Sequence, residues 1–306
     1  MTKKINYDQH LVSAGWSDYE LLDSGENMKL ERFGTVIVAR PETQALWSKQ
    51  KPELWDSAHA VFAFRDKNGA WDIKKPIPDP WEVSWNDTRF SAQLTGFKHT
   101  GIFPEQAPNW EWLEGRVRAI SSSLGHGPQS LQNRPPAPSV LNLFGYTGIA
   151  SVVAAKAGAF VTHVDSSKQS LDWAHSNARR SGVAEDAVRW VLDDALAFAK
   201  REARRESRYD GIILDPPAFG RGAKGEVWNI EDDLPTLLVT LRDLLKDSPG
   251  AFLIVNGYAA GYAARSFAQA LESAFGPVDG ECGELYIKES QSERVIPAGI
   301  YVRFVR

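Results

Sequence analysis

The chain has 306 residues, 43% of them hydrophobic and 24% charged, with a formal net charge of −4. This is an ordinary globular composition at a length of roughly two domains. The acidic balance argues against a generally basic nucleic-acid coat and leaves room for a local basic groove. The single cysteine, Cys282, excludes an intrachain disulfide and a Cys-rich zinc site, and it fits a reducing, cytoplasmic setting. The first ten residues, MTKKINYDQH, hold no apolar core, so no secretory signal is expected. No stretch approaches the ~18 apolar residues of a membrane span.

Eight of the eleven tryptophans lie in the first 112 residues: Trp16, Trp47, Trp55, Trp71, Trp81, Trp85, Trp110 and Trp112. Residues 1–112 carry 13 Lys+Arg and 16 Asp+Glu, and residues 113–306 carry 22 and 23. The asymmetry is therefore aromatic, not electrostatic. Residues 1–95 read as a Trp-rich, β-containing N-terminal domain and 96–306 as a second domain. In the first, 33–38 and 60–64 are β-prone runs, and Asn68-Gly69 is a turn signal that makes 60–73 a hairpin. Pro76, Pro78 and Pro80 interrupt the chain after the hairpin. Two readings of the tryptophans stand: core filling, or a base-stacking surface for substrate.

A helix is expected over about 110–124, then a Pro/Gly-rich loop over 125–139. From there the pattern becomes regular. Strands at 140–144, 160–164, 188–192 and 211–214 alternate with helices at 149–157, 168–181 and 195–205. This alternation predicts βαβ units in a doubly wound, mostly parallel α/β sheet. A further strand is expected at 251–255. A final antiparallel pair is expected at 285–288 and 300–304, with Pro297-Ala298-Gly299 turning between them.

Ligands of such sheets bind beyond the carboxyl ends of the strands. Asp165, Asp193, Asp194 and Asp215 lie at or just past those ends. Gly145 and Gly148 let backbone approach a ligand at a helix N-terminus, and Asp165 can accept from ribose hydroxyls. Leu143 stands where a dinucleotide fingerprint has its first glycine, which disfavours a dinucleotide.

These segments resemble the motifs of class I S-adenosylmethionine (AdoMet)-dependent methyltransferases. Asn142-Leu143-Phe144-Gly145-Tyr146-Thr147-Gly148 resembles their first motif and Val164-Asp165-Ser166-Ser167 their ribose-binding acid. Leu192-Asp193-Asp194-Ala195 resembles the segment at the adenine, and Asp215-Pro216-Pro217-Ala218-Phe219 the fourth motif. The resemblance is closest to bacterial large-subunit ribosomal-RNA methyltransferases of the cytosine-C5/guanine-N7 type, and it spans about residues 96–306. It implies a Rossmann-like sheet of seven strands with the last antiparallel, and AdoMet as cofactor. Gly101-Ile102-Phe103-Pro104-Glu105-Gln106 resembles the segment that caps the methionine end there. By that analogy Phe103, Gln106 and Asn109 line the site, with Lys98 and His99 just before them. That family often carries an N-terminal RNA-binding module; residues 1–95 are too Trp-rich and irregular to be assigned to one.

The resemblance also assigns chemistry. Asp215 orients or deprotonates a nitrogen acceptor. The carbonyl of Pro216 accepts from an amino group, Pro217 stiffens the turn, and Phe219 stacks on a planar acceptor. Methylation at cytosine C5 uses a cysteine adduct. The stretch after the fifth strand, Val255-Asn256-Gly257-Tyr258-Ala259-Ala260-Gly261, has none, so no C5 chemistry of that kind is expected from Cys282. The basic residues Lys200, Arg201, Arg204, Arg205 and Arg208 interleave with Glu202 and Glu206, as on a solvated face. Residues 220–225, with Arg221 and Lys224, form a glycine-rich loop that could close over substrate and touch phosphate. The expectation is direct in-line methyl transfer to a nitrogen of an RNA base, ribosomal RNA by resemblance, with no metal. Two alternatives stay open: transfer to a small molecule or protein, which the acidic balance favours, and a non-catalytic AdoMet- or nucleoside-binding module.

Overall fold

The computed structural model describes residues 3–65, 68–124, 137–222, 225–258 and 261–306. Most of the expected 125–139 loop, Lys67 of the hairpin, Ala259-Ala260 and Lys224 lie outside them.

The N-terminal region is a run of strands: β1 (Ile5–Ser13), β2 (Tyr19–Gly25), β3 (Met28–Phe33), β4 (Val36–Pro41), β5 (Ala60–Arg65), β6 (Asn68–Ile73), β7 (Trp81–Trp85) and β8 (Thr88–Ala92). Strands β2 to β6 form one five-stranded sheet in chain order, and β7 and β8 form a hairpin. The 60–73 hairpin is present, with Phe62 opposite Trp71. The tryptophans of this region divide. Trp16, Trp81 and Trp85 are buried, while Trp47 and Trp55 spend their indole N–H on Ser24 and Asp23. Core filling accounts for Trp16, Trp81 and Trp85, and Trp55 packs half-buried against the Leu30, Ala39 and Ala58 cluster.

The rest of the chain alternates. Helix α1 (Ala107–Leu124) is followed by β9 (Ser139–Leu143), α2 (Ile149–Lys156), β10 (Phe160–Asp165), α3 (Lys168–Arg180), β11 (Val188–Leu192), α4 (Ala195–Arg204) and β12 (Gly211–Leu214). Then come a short hairpin, β13 (Phe219–Arg221) and β14 (Val227–Asn229), and α5 (Ile230–Leu244), β15 (Phe252–Gly257), α6 (Ala264–Phe275), β16 (Asp279–Lys288) and β17 (Val295–Val305). The sheet order is β1-β16-β17-β15-β12-β9-β10-β11. Strands β15, β12, β9, β10 and β11 are parallel, and β17 runs antiparallel to β15.

Four sequence expectations need correction. The sheet has eight strands, not seven, because β1 adds itself at the β16 edge. An unpaired edge leaves a row of amides and carbonyls open, and an added strand covers it. The last turn is not at 297–299, since β17 runs unbroken through Pro297. The chain reverses instead over 289–294, where Ser292 Oγ donates to Glu289 and the Glu289 amide to the Arg294 carbonyl. Helices α5 and α6 were not foreseen. Pro235 hides α5 from a periodicity reading; it is the sixth residue of the helix, where its ring gives up one i→i−4 hydrogen bond. Strands β1, β2, β3, β7 and β8 were largely missed too: β2, β3 and β8 are buried on both faces over part of their length, β1 is mostly exposed between its ends, and the alternating β7 is only five residues long.

By contacts the chain divides into two compact units: residues 1–10, 108–284 and 299–306, and residues 11–107 and 285–298. The division falls elsewhere than 95/96 and is discontinuous. Residues 285–298 fold with the N-terminal strands through a bridge between Leu21 and Glu289 and a hydrogen bond from Ser24 Oγ to Glu289 (2.5 Å). The core of the first unit packs Leu141, Leu143, Val164, Ile212, Leu214, Leu253 and Val255 against apolar residues of α4, α5 and α6. Because side chains alternate along a strand, Asn142, His163, Asp165, Ile213 and Ile254 face the other way. The Trp112 ring of α1 meets Phe252 there, edge to face.

Candidate functional site

The chain runs outward from β9 through β10 to β11, then returns to the other side of β9 as β12 and β15. Strand order therefore reverses between β9 and β12, and the carboxyl ends there open a crevice. The turn out of β9 is built tightly. Phe144 and Tyr146 take left-handed φ of 56° and 48°, uncommon for side chains of their size. Gly145 lies on the His163 ring, where a Cβ would come within 2.3 Å of it. Gly148 has φ +78°, and a Cβ there would strike Ala174 at 2.6 Å.

Asp165 fastens this turn. Its Oδ2 accepts the Tyr146 amide (2.8 Å) and its Oδ1 the Ser167 amide (2.8 Å). Burial raises its pKa and the two amides pull it back down. Each carboxylate oxygen keeps a further lone-pair position, which suits a pair of vicinal hydroxyls. A cleft of about 340 Å³, open to solvent, adjoins it. Its walls are Phe144, Asp165, Ser166, Asp193, Asp194, Ala195, Pro217, Gly220, Arg221, Gly222 and Trp228.

Seven of the residues singled out from sequence thus line one cleft: Phe144, Asp165, Ser166, Asp193, Asp194, Pro217 and Arg221. Others brace its surroundings. Asn142 is buried, and its amide donates to Ser151 Oγ (2.8 Å), which contacts His163 Nδ1 (2.9 Å). Burial holds His163 neutral, its pKa pushed down to about 3. The Thr147 carbonyl accepts from Asn177 (2.8 Å), and Ser167 Oγ caps α3. Asp193 pairs with Arg201, and Asp194 caps α4 by accepting the Ala197 amide (2.7 Å). Just past α4, Arg205 pairs with Glu202 (3.0 Å).

Asp215 follows the last residue of β12, and its amide still reaches the Leu143 carbonyl (3.5 Å). Pro216 is buried, whereas Pro217 and Phe219 are exposed, Phe219 at 56%. Trp228 was missed in the sequence. It donates its indole N–H to the Pro217 carbonyl (2.7 Å) and packs its ring 4.8 Å from Phe144. It lies 11 residues past Pro217 on a three-residue strand, too short for any periodic signal. Arg221 reaches over the Phe219 ring, 5.8 Å from its centroid.

Phe103 and Gln106 belong to the other unit. There the Phe103 ring lies 5.3 Å from His99, and Pro104, Glu105 and Gln106 are buried. A buried ion pair between Glu31 and Arg40 stands in the same unit. It holds the Glu31 carboxyl down at about 2, while burial lifts Glu105 to about 7. Cys282 is buried in the sheet core, with its thiol pushed up to about 11 by burial. Among the described residues no group of three or more His, Cys, Asp or Glu is arranged to hold a metal ion, and no helix is long and apolar enough to cross a membrane.

The profile of the S-adenosylmethionine-dependent methyltransferases matches residues 56–265. The chain belongs to this family. Its cofactor is AdoMet. A solved methyltransferase from Agrobacterium tumefaciens is 37% identical, with a TM-score of 0.88, over 100% of this chain and 96% of that one. A second, from Streptococcus mutans, shares the fold at 18% identity and a TM-score of 0.71, over 96% of this chain and 76% of that one. Two curated relatives are named ribosomal RNA large subunit methyltransferase K/L. The Shewanella pealeana protein is 39% identical over 72% of this chain, and the Syntrophotalea carbinolica protein 33% over 57%. The matched regions span only 28% and 22% of those relatives' lengths.

Proposed function

We propose that the protein transfers the AdoMet methyl group to a nitrogen of an RNA base, with ribosomal RNA as the first candidate. The observation that carries this reading is Asp215-Pro216-Pro217 at the mouth of β12, beside the turn that Asp165 fastens. The names of the two curated relatives support RNA as the substrate. Bound AdoMet supplies a methyl group on a good leaving group. Asp165 accepts from the ribose hydroxyls, and Phe144, Ser166 and the Asp193–Ala195 segment enclose the nucleoside. Gly145, Tyr146, Thr147 and Gly148 shape the backbone around it.

Asp215 accepts an N–H of the acceptor nitrogen and so holds its lone pair in line with the methyl carbon. The Pro216 carbonyl accepts a second N–H. Phe219, largely exposed, stacks on the base, and Arg221 meets a phosphate. Cys282 takes no part, since a buried thiol with a raised pKa is a poor nucleophile.

The test is transfer of label from methyl-labelled AdoMet to an extract of a strain lacking the gene, separated into RNA, protein and metabolites, followed by mass spectrometry of the RNA nucleosides. Labelled nitrogen-methylated nucleosides are expected, together with RNA binding that weakens as salt rises. Label confined to protein or metabolites would refute the RNA reading. The net charge of −4 favours that second reading, a small-molecule or protein acceptor.

A further inference from the structure

The register across the strand ends places Asn256 beside Asp215. Leu214 of β12 pairs with Val255 of β15, so Asp215 and Asn256 are the next pair along. Leu214 and Val255 both point into the core shared with α4–α6. Their successors therefore share the opposite face. Adjacent strands lie about 4.8 Å apart, which puts the two polar side chains within reach of one planar acceptor.

Asn256 is 4% exposed, and its orientation is dictated from outside the site. Arg303 has only donors. Its Nε donates to Glu281 (2.7 Å), and its Nη1 donates to Asn109 Oδ1 (3.1 Å) and to the Pro108 carbonyl (3.4 Å). The guanidinium also lies 5.0 Å from the Trp112 ring and 5.2 Å from Tyr301. With its oxygen taken by a cation, Asn109 must present Nδ2 to its other neighbour, and it donates to Asn256 Oδ1 (3.0 Å). Asn256 is then left with Nδ2, a donor. A neutral amide flips freely between donor and acceptor, but this relay removes the choice.

We propose that Asn256 is a specificity-determining residue that donates through Nδ2 to a lone-pair atom of the acceptor. That atom is a ring nitrogen or carbonyl oxygen next to the nitrogen that takes the methyl. Asp215 accepts from the reacting group while Asn256 donates to its neighbour, so the pair reads an edge of mixed polarity and fixes the ring in plane. Arg303 and Asn109 are positioning residues that act through Asn256. The inference rests on the nitrogen-methylation reading above.

The experiment compares wild type, Asn256→Ala, Asn256→Asp and Asn109→Asp in methyl transfer to RNA from a strain lacking the gene. S-adenosylhomocysteine affinity is measured alongside by calorimetry. Asn256→Ala removes the donor and is expected to lower kcat/KM for RNA roughly ten- to a hundredfold, with cofactor affinity within twofold of wild type. Asn256→Asp presents an oxygen in place of the donor and is expected to fall at least as far. Asn109→Asp still pairs with Arg303 but now accepts from Asn256, which turns the Asn256 oxygen toward the acceptor. A purely structural role predicts little change for it, whereas the relay predicts a loss like that of Asn256→Asp. Unchanged kcat/KM in Asn256→Ala, or in a folded Asn109→Asp, overturns the inference while leaving methyl transfer to RNA intact. A parallel loss of cofactor affinity overturns it too, since Asn256 would then serve the cofactor. A wild type that labels no RNA overturns the RNA reading and this inference together.

Discussion

Asp165→Ala tests the cofactor cleft at its most informative point. The carboxylate accepts two backbone amides, from Tyr146 and Ser167, each at 2.8 Å. Its remaining lone pairs are those assigned to the ribose. The substitution therefore acts twice. Loss of the two amide acceptors frees the Phe144–Tyr146 turn, whose left-handed residues are held against their preference; an unsatisfied donor in such a half-buried place costs about 1–3 kcal/mol. Loss of a charge-assisted hydrogen bond to a ribose hydroxyl removes about 1.5–3 kcal/mol of binding, or roughly a 10- to 150-fold rise in Kd.

The two effects separate by assay. Thermal unfolding without cofactor reads the turn alone, and calorimetric titration with S-adenosylhomocysteine reads both. Asp165→Asn refines the result. It keeps one acceptor for one amide but sets its NH₂ against the other, so it is expected to lose both stability and affinity, less than alanine does. A folded Asp165→Ala protein whose Kd matches wild type would falsify the placement of the ribose on Asp165.

The remaining predictions concern support and charge. Gly145→Ala forces a methyl onto the His163 ring, and is expected to cost about 1–3 kcal/mol by overpacking and to weaken cofactor binding. His163→Ala in the same chain should recover part of the stability, and strict additivity of the two in a double-mutant cycle would refute the contact. Glu105 has its pKa raised from 4.5 to about 7 by burial, so its neutral form is favoured in the folded state. Its contribution to stability is full below pH 4.5 and is lost as pH rises through 7. Glu105→Gln should thus be about 2–3 kcal/mol more stable than wild type at pH 8 and equal to it at pH 4; equal denaturation midpoints at both pH values would show that burial does not perturb Glu105. Cys282→Ser places a hydroxyl in the core and is expected to lower stability by about 1–2 kcal/mol while leaving kcat unchanged; an inactive yet folded variant would bring covalent chemistry back.

Much of the α/β layer was legible because local rules suffice there. Strand–helix alternation predicts parallel pairing, and short glycine turns followed by an acid mark the ligand end. The β-strands before residue 95 were harder, because several are buried on both faces and show no alternation. Helix α5 was obscured by Pro235, a helix breaker by local propensity that the buried face of Leu234, Leu237, Leu238 and Leu241 overrides. The candidate site divides in the same way. Asp165, the Asp193-Asp194 pair and the Asp215-Pro216-Pro217 turn stand at strand ends that the sequence marks. Trp228, His163 and Asn256 were not foreseen as site residues, since each matters only through contacts distant in the chain.

Composition and motif order also divide between the two levels. Sequence alone established the single cysteine, its absence after the fifth strand, the aromatic bias of the first 112 residues and the order of motifs around a doubly wound sheet, because these depend on residue identity and short-range pattern. Tertiary structure decided that β1 adds an eighth strand, that residues 285–298 fold with the N-terminal strands, and that five of the tryptophans pack or hydrogen-bond within their unit. It also decided which of Asn109's two polar atoms meets Asn256. An amide's two ends are sterically alike, and only a neighbour with a fixed charge, here Arg303 from 194 residues away, determines which one points where.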